Sequence, residues 1–173
     1  MSGVGPVEPL GPGHVVTGFD CGSPAQSNWL VQHGLQAHRA RLSRVYVASD
    51  PSIEGGRVIG YYALAAGSIA PADAPPRLMR GAGRYYQPAA IIITRLGVDR
   101  SVQGRGLGRA LVVDALRRIL GASDVIAMRA VLIHCESDAA RDFYLRLAKF
   151  EESPTDPMHL VLMTKDLLQA LDP

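Results

Sequence analysis

The chain has 173 residues, of which 47% are hydrophobic and 20% are charged, so it can bury one sizeable core. We therefore predict a single domain over residues 1–173, with residues 1–15 as a poorly ordered or edge segment. No basic region followed by an apolar run opens the chain, and no later segment approaches the ~20 apolar residues that span a bilayer. A membrane protein is thereby disfavoured, and a cytoplasmic one is expected.

Charge and cysteine content narrow the function classes further. The formal net charge is only +2, yet nine arginines lie between Arg77 and Arg118 against Asp99 and Asp114. Such an uneven distribution can present a basic face to an anion, although a solvated surface explains any single arginine equally well. The two cysteines are far apart and belong to no CxxC or histidine cluster, so neither a metal site nor a disulfide framework is expected.

The N-terminal half of the chain predicts one helix and a pair of strands. Ser27 is a candidate N-cap for the helix, whose apolar stripe is irregular. Two strand-like runs, 44–48 and 57–65, flank the turn-rich residues 49–56 and predict a β-hairpin with a long loop. Residues 71–87 contain three prolines and predict a loop.

The C-terminal half alternates strands with helices. Residues 89–98 form a nearly continuous apolar run, typical of a strand that is covered on both faces. Residues 107–120 predict a well-buried helix with a polar stripe that includes Asp114, and Gly121 is its expected end. The remaining predicted elements are a strand at 130–135, a helix at 138–149, and short strands at 150–152 and 159–163. This order is typical of an α/β fold in which helices flank both faces of a mixed central β-sheet.

The segment that joins strand 89–98 to helix 107–120 carries the chemical signal. It reads Gln103-Gly104-Arg105-Gly106-Leu107-Gly108. A helix N-terminus exposes about four unpaired N–H groups and can bind a diphosphate. Its glycines lack the Cβ atoms that would block the phosphates, while Arg105 and Arg109 add positive charge. The spacing fits neither the Rossmann G-x-G-x-x-G nor the Walker A motif. A tight turn without a ligand is the alternative interpretation.

The positions of Gln103, Gly106 and Gly108 match Gln/Arg-x-x-Gly-x-Gly/Ala, which resembles the acetyl-CoA pyrophosphate loop of the GNAT N-acetyltransferase superfamily. The resemblance implies the GNAT fold, acetyl-CoA as acetyl donor, and a strand before the loop that offers backbone groups to the pantetheine arm and the thioester. The residues it assigns to the cofactor are Leu96, Gly97, Val98, Gln103, Gly104, Arg105, Gly106, Leu107, Gly108 and Arg109.

Tyr144, in the segment Ala140-Arg-Asp-Phe-Tyr144, matches the family tyrosine that protonates the departing thiolate. Its spacing alone indicates a core aromatic residue, and the two interpretations are compatible because a packed ring can still present its hydroxyl to a cleft. No strong general base is evident, and none is required since an α-amine titrates near ~8. We therefore expect direct attack of the amine on the thioester, with the oxyanion stabilised by backbone N–H groups near Val98.

Several further segments resemble the toxin acetyltransferases of bacterial type II toxin–antitoxin modules. They are Gly18-Phe-Asp-Cys-Gly22, Asn28-Trp-Leu30, Gly60-Tyr-Tyr-Ala-Leu64, Arg95-Leu-Gly-Val-Asp-Arg100 and Asp156-Pro-Met158, and the similarity covers roughly residues 18–167. It implies acetylation of the α-amine of aminoacyl-tRNA, which blocks translation, together with a ribbon-helix-helix antitoxin and a homodimer. A tRNA acceptor stem requires phosphate contacts, for which Arg80, Arg84 and Arg95 are the candidates.

Two positions depart from the family pattern, and two other functions remain open. Ala148-Lys149-Phe150 replaces a frequent Gly-Phe pair, and Ser137 stands where Asn is common. The alternatives are a GNAT acetyltransferase of a small-molecule amine and a non-catalytic module that binds an antitoxin or a nucleic acid. A cationic amine favours an acidic cleft, whereas the presence of both the glycine loop and Tyr144 disfavours a non-catalytic module.

Overall fold

The computed structural model describes residues 3–53 and 55–171. Within these residues seven strands form one sheet in the order β1-β2-β3-β4-β5-β7-β6. The strands are β1 (Glu8–Pro9), β2 (Arg44–Asp50), β3 (Arg57–Ser68), β4 (Ala89–Val98), β5 (Ala130–His134), β6 (Glu151–Glu152) and β7 (His159–Met163). β4 pairs with β5 in parallel, whereas the β1–β2, β2–β3, β5–β7 and β6–β7 pairs are antiparallel. The predicted mixed sheet is thus confirmed.

Helices flank this sheet. They are α1 (Pro24–Trp29), α2 (Leu35–Arg39), α3 (Pro76–Met79), α4 (Leu107–Ser123), α5 (Asp138–Leu147) and α6 (Leu167–Leu171). Short 3₁₀ turns occupy Pro71–Asp73, Arg100–Val102 and Thr164–Asp166. None of the helices within the described residues is long and apolar enough to cross a bilayer.

The first helix begins earlier than predicted and contains a π-helical turn. Its N-cap is Ser23, whose hydroxyl accepts the Gln26 N–H, and not Ser27. Ser27 is buried, and its hydroxyl accepts the Cys21 N–H at 3.0 Å. A π-helical turn at Leu30–Gly34 lies between α1 and α2. A π turn adds a residue to the helical period, which explains why the apolar stripe of this segment is irregular.

Two other predicted elements differ from the structure. The proline-rich residues 71–87 include α3, in which Leu78 is fully buried. α4 continues through Gly121 to Ser123, since a glycine inside a helix weakens it by only about 1 kcal/mol. Asp114, in the predicted polar stripe of α4, is half-buried, and its carboxylate accepts a 2.5 Å hydrogen bond from the Tyr62 hydroxyl.

The described residues fall into two compact units. The first extends to Ala65 and includes Thr94–Ala115, and the second comprises Ala66–Ile93 and the chain from Leu116 onwards. Members of the first core are Leu10, Phe19, Leu30, Val45, Val47, Val58, Tyr61 and Ala63. Members of the second are Ile69, Ala74, Leu78, Ala90, Ala130, Leu132, Val161 and Met163.

In the first unit, the start of α4 packs closely on β3. A Cβ atom at Gly60 would lie 2.9 Å from Leu111 Cδ1 and 3.1 Å from Leu107 Cδ2. Gly60 therefore lets the helix approach the strand, and this contact positions the loop that precedes α4.

Candidate functional site

The carboxyl end of β4 is held in place by the buried side chain of Asp99, which is 3% exposed. One carboxylate oxygen accepts hydrogen bonds from the Asp20 N–H at 3.1 Å and from Arg57 Nη2 at 3.0 Å. The other accepts the N–H and the hydroxyl of Ser101 at 3.0 and 2.7 Å. Asp99 thus joins β3, the 3₁₀ turn after β4 and the segment before α1.

Asp99 is ionised at neutral pH despite its burial. Burial by itself raises the pKa of this carboxyl, but the hydrogen bonds from Ser101 and Asp20 and the charge of Arg57 outweigh it and hold the pKa below its usual value. The carboxylate therefore anchors the turn as a charged acceptor.

The loop between β4 and α4 has the backbone geometry that its glycines allow. Gly104 and Gly106 have φ angles of +77° and +85°, in the region that residues with a Cβ rarely adopt. A Cβ atom at either position would meet nothing within 4 Å. The glycines are therefore required by the shape of the turn itself.

Gln103 braces the same loop. Its side-chain amide donates to the Val98 carbonyl at 2.8 Å and to the Cys21 carbonyl at 3.0 Å. The start of α4 beyond it is open, because Arg105 and Arg109 are exposed while Leu107 is buried. The first helical hydrogen bond runs from the Ala110 N–H to the Gly106 carbonyl, so the N–H groups of the first turn are directed out of the helix end. This end is suited to a phosphate ligand.

The first unit brings together the other predicted cofactor residues. Leu96, Gly97 and Val98 are the last three residues of β4. A Cβ atom at Gly97 would lie 3.0 Å from Tyr61 Cε1 and 3.2 Å from the Cys21 sulfur. The end of β4 is therefore in close contact with Tyr61 on β3 and with Cys21, which precedes α1.

Arg95 lies on β4 in the same unit and is half-buried. Its guanidinium carbon is 5.0 Å from the centre of the Trp29 ring. Nη1 of Arg95 donates to Gln26 Oε1 at 3.3 Å. The Trp29 ring in turn stacks on Tyr61, with 6.1 Å between ring centres and 12° between planes.

Tyr144 lies on α5 in the second unit and is 5% exposed. Its ring makes edge contacts with Phe143 and Phe150, with ring centres 5.1 and 5.8 Å away. Burial, and to a lesser degree the nearby Cys135, raises the pKa of the hydroxyl above its usual value. Burial also raises the pKa of the Cys135 thiol to about 11. Both groups are therefore protonated at pH 7.

The other two predicted tRNA ligands, Arg80 and Arg84, also belong to the second unit and are exposed. The guanidinium carbon of Arg84 lies 5.9 Å from the ring centre of Tyr85, which is 86% exposed. Arg80 contributes its carbonyl to a hydrogen bond from Arg129. Arg77, another member of the basic segment, forms ion pairs with Glu151 at 2.6 Å and Asp166 at 2.5 Å.

Sequence reasoning missed Asp99, Trp29 and Gln26 as parts of this region. Asp99 does leave a local signal, because Asp two residues before Ser is typical of a capped turn. The contacts of Trp29 and Gln26 with Arg95 leave none, since about seventy positions of chain separate them and only the packing of α1 on β4 brings them together.

Comparisons with known proteins agree on one family. Residues 41–147 match the family described as Acetyltransferase (GNAT) domain. The chain is 43% identical over 167 residues to the tRNA-acetylating toxin of Mycobacterium tuberculosis, and the alignment covers 96% of each protein.

Solved structures show the same similarity. A crystal structure of a tyrosine-to-phenylalanine mutant of KacT matches with a TM-score of 0.88 and 26% identity over 97% of this chain and 99% of that one. AtaT complexed with acetyl-methionyl-tRNAfMet matches with a TM-score of 0.86 and 25% identity over 96% of this chain and 98% of that one.

Proposed function

The chain belongs to the GNAT acetyltransferase family, and we propose that it transfers the acetyl group of acetyl-CoA to the α-amine of an aminoacyl-tRNA and thereby blocks translation. The 43% identity along 96% of both chains with a tRNA-acetylating toxin carries this proposal. The complex of AtaT with acetyl-methionyl-tRNA supports the amino acid as the group that is acetylated.

The residues around the β4–α4 loop fit the donor. The turn at Gly104 and Gly106 and the open first turn of α4 would hold the diphosphate, with Arg105 and Arg109 as exposed cations beside it. Backbone groups of residues 96–98 would bind the pantetheine arm, and an N–H near Val98 would stabilise the oxyanion. When bound, acetyl-CoA supplies a thioester that is already activated for transfer.

Tyr144 acts as the general acid in this proposal. The α-amine nitrogen would form a bond to the acetyl carbon as the carbon–sulfur bond breaks. Tyr144 would give its hydroxyl proton to the sulfur, the amine would lose a proton to solvent, and the Tyr144 hydroxyl would then regain a proton from solvent. The Tyr144 hydroxyl is protonated at pH 7, as a proton donor must be. The acceptor amine is partly neutral near pH 7, so direct transfer requires no strong base.

The decisive experiment is incubation of the protein with acetyl-CoA and a mixture of charged tRNAs, followed by mass spectrometry of the released aminoacyl adenosines. We expect at least one acetylated species. The Tyr144→Phe variant should form it roughly 10²-fold more slowly or worse, while acetyl-CoA binding measured by calorimetry is retained. Tyr85→Phe, which removes the hydroxyl of an exposed tyrosine, is the matched control and should act like the wild type.

Two results would contradict the proposal in different ways. If no tRNA in the pool were acetylated, aminoacyl-tRNA would be ruled out as the acceptor, and a small-molecule amine would be favoured. Full activity of Tyr144→Phe would remove Tyr144 from the mechanism but leave the substrate in place.

We further propose that the protein acts in the cytoplasm as a homodimer that a ribbon-helix-helix antitoxin neutralises. The resemblance to type II toxin acetyltransferases supports these partners. Co-expression of a ribbon-helix-helix protein encoded beside this chain should restore growth and give a complex on size-exclusion chromatography with light scattering, which also measures the oligomeric state.

A further inference from the structure

We propose that Trp29 and Gln26 hold Arg95 as a pre-positioned phosphate-binding group, and that Arg95 binds the phosphodiester of the 3′-terminal nucleotide of the aminoacyl-tRNA. This inference rests on the proposed function and deepens it. Arg95 is then a substrate-binding residue, and Trp29 and Gln26 are positioning residues that act through it.

Two side chains of α1 hold the guanidinium of Arg95. Cζ of Arg95 lies over the Trp29 ring, 5.0 Å from the ring centre, and Gln26 Oε1 accepts a hydrogen bond from Nη1 of Arg95 at 3.3 Å. Gln26 and Trp29 are three residues apart on α1, so they share one side of that helix. An arginine that is fixed in this way loses less conformational freedom when it binds a ligand.

Trp29 and Gln26, which hold Arg95, are themselves held in place by Tyr61. Tyr61 stacks on Trp29, and its hydroxyl donates to the Gln26 carbonyl at 2.7 Å. Phe19 packs edge-on against the Tyr61 ring, with 5.5 Å between ring centres. The arrangement is therefore anchored in the core of the first unit.

The chemistry of this group favours a phosphate. The acceptor on Gln26 is a neutral amide, so it leaves the positive charge of Arg95 in place, in contrast to Arg57, which pairs with the Asp99 carboxylate. A guanidinium presents a planar set of N–H donors that matches phosphate oxygens. A polyamine, which carries several positive charges, would be repelled by the same charge.

The position of Arg95 along β4 fits the terminal nucleotide. Side chains alternate along a strand, so Arg95 lies on the same face as Gly97, about 7 Å away along the strand. Gly97 and Val98 are the proposed thioester-binding residues. In an aminoacyl-tRNA, only the ester and part of the ribose separate the α-amine from the nearest phosphodiester. An acceptor whose amine reaches the thioester would therefore bring that phosphate within the reach of Arg95.

The test compares two acceptors in steady-state kinetics: an aminoacyl-tRNA that the wild type acetylates, and the methyl ester of the same amino acid, which has no phosphate. Arg95→Ala should raise the KM for the tRNA about tenfold, with kcat nearly unchanged. The KM for the methyl ester should stay at the wild-type value. The dependence of tRNA binding on salt should weaken by about 0.7 in the logarithmic slope, as expected for the loss of one phosphate contact.

Further variants distinguish the positioning of Arg95 by Trp29 from the effect of the positive charge of Arg95 alone. Trp29→Leu should raise the KM for the tRNA several-fold, and Trp29→Phe should recover part of the loss because it restores an aromatic face. Arg95→Lys should remain several-fold weaker than the wild type, since an ammonium lacks the planar donors. Arg146→Ala, which removes an exposed arginine at the end of α5, is the control for charge and should match the wild type.

Each contrary outcome overturns a defined step. Equal losses with both acceptors would overturn the phosphate contact, because the methyl ester has no phosphate, and unchanged tRNA kinetics in Arg95→Ala would show that Arg95 binds no phosphate. Full activity of Arg95→Lys would show that the planar donors are not needed, and wild-type kinetics of Trp29→Leu would eliminate the role of Trp29. A wild type that acetylates the methyl ester but no aminoacyl-tRNA would instead overturn the proposed function, and with it this inference.

Discussion

Asp99 illustrates how a single buried residue organises the candidate site. Its carboxylate accepts four hydrogen bonds from three other residues. We expect Asp99→Asn to lower the free energy of unfolding by about 2 kcal/mol at pH 7, because the amide cannot replace a charged acceptor for all of these donors. Urea denaturation measures the loss, and Asp124→Asn, at an exposed position, should change stability by less than ~0.5 kcal/mol.

The same residue predicts the direction of a pH effect. The pKa of Asp99 is lower in the folded protein than its usual value, so its stabilisation is complete above the unfolded pKa of ~3.9 and is lost as pH falls through the folded pKa. The difference in stability between the wild type and Asp99→Asn should therefore shrink in acid. A difference that stays constant from pH 7 to pH 3 would contradict the assignment to charge.

At the scale of secondary-structure elements, the shape of the β4–α4 loop depends on the positive φ angles of its glycines. Gly106→Ala should lower the free energy of unfolding by about 1–2 kcal/mol, because alanine is strained at a φ of +85°, and should weaken the binding of acetyl-CoA measured by calorimetry. Gly121→Ala is the matched control, since Gly121 lies inside α4 with open space around it. That change should stabilise the protein by about 0.5–1 kcal/mol. Effects of the same sign at both positions would contradict this explanation.

Periodicity and turn residues were sufficient for most elements and insufficient for some of their bounds. The apolar run at residues 89–98 became β4 with the predicted limits, although only Ala90, Ile93 and Gly97 of this strand are buried and Thr94 is exposed. The first helix was misplaced at its start, where Ser23 caps a helix that begins with Pro24, a local signal of a helix N-terminus. α3 was missed because burial of Leu78 outweighs the prolines around it.

At the scale of the whole molecule, the arginine-rich stretch divides into structural and exposed residues. Arg77 is paired with two carboxylates, whereas Arg84 is exposed. We expect Arg77→Ala to lower the melting temperature and leave the salt dependence of tRNA binding unchanged. Arg84→Ala should leave the melting temperature unchanged and reduce the logarithmic salt slope by about 0.7. The opposite pattern, measured by thermal melting and filter binding, would contradict this division.

The sequence by itself determined the α/β class, the glycine loop before α4 and the family, because these depend on local spacing and on residues that are neighbours in the chain. The roles of the loop and of Tyr144 stay predictions. Tertiary structure decided which arginines are paired, since Arg77 meets Glu151 and Asp166 only after folding. It also decided that Asp114 binds Tyr62 and that Arg95 rests on Trp29. These contacts join residues that are far apart in the sequence, so they form only when helices and strands pack together in the folded chain.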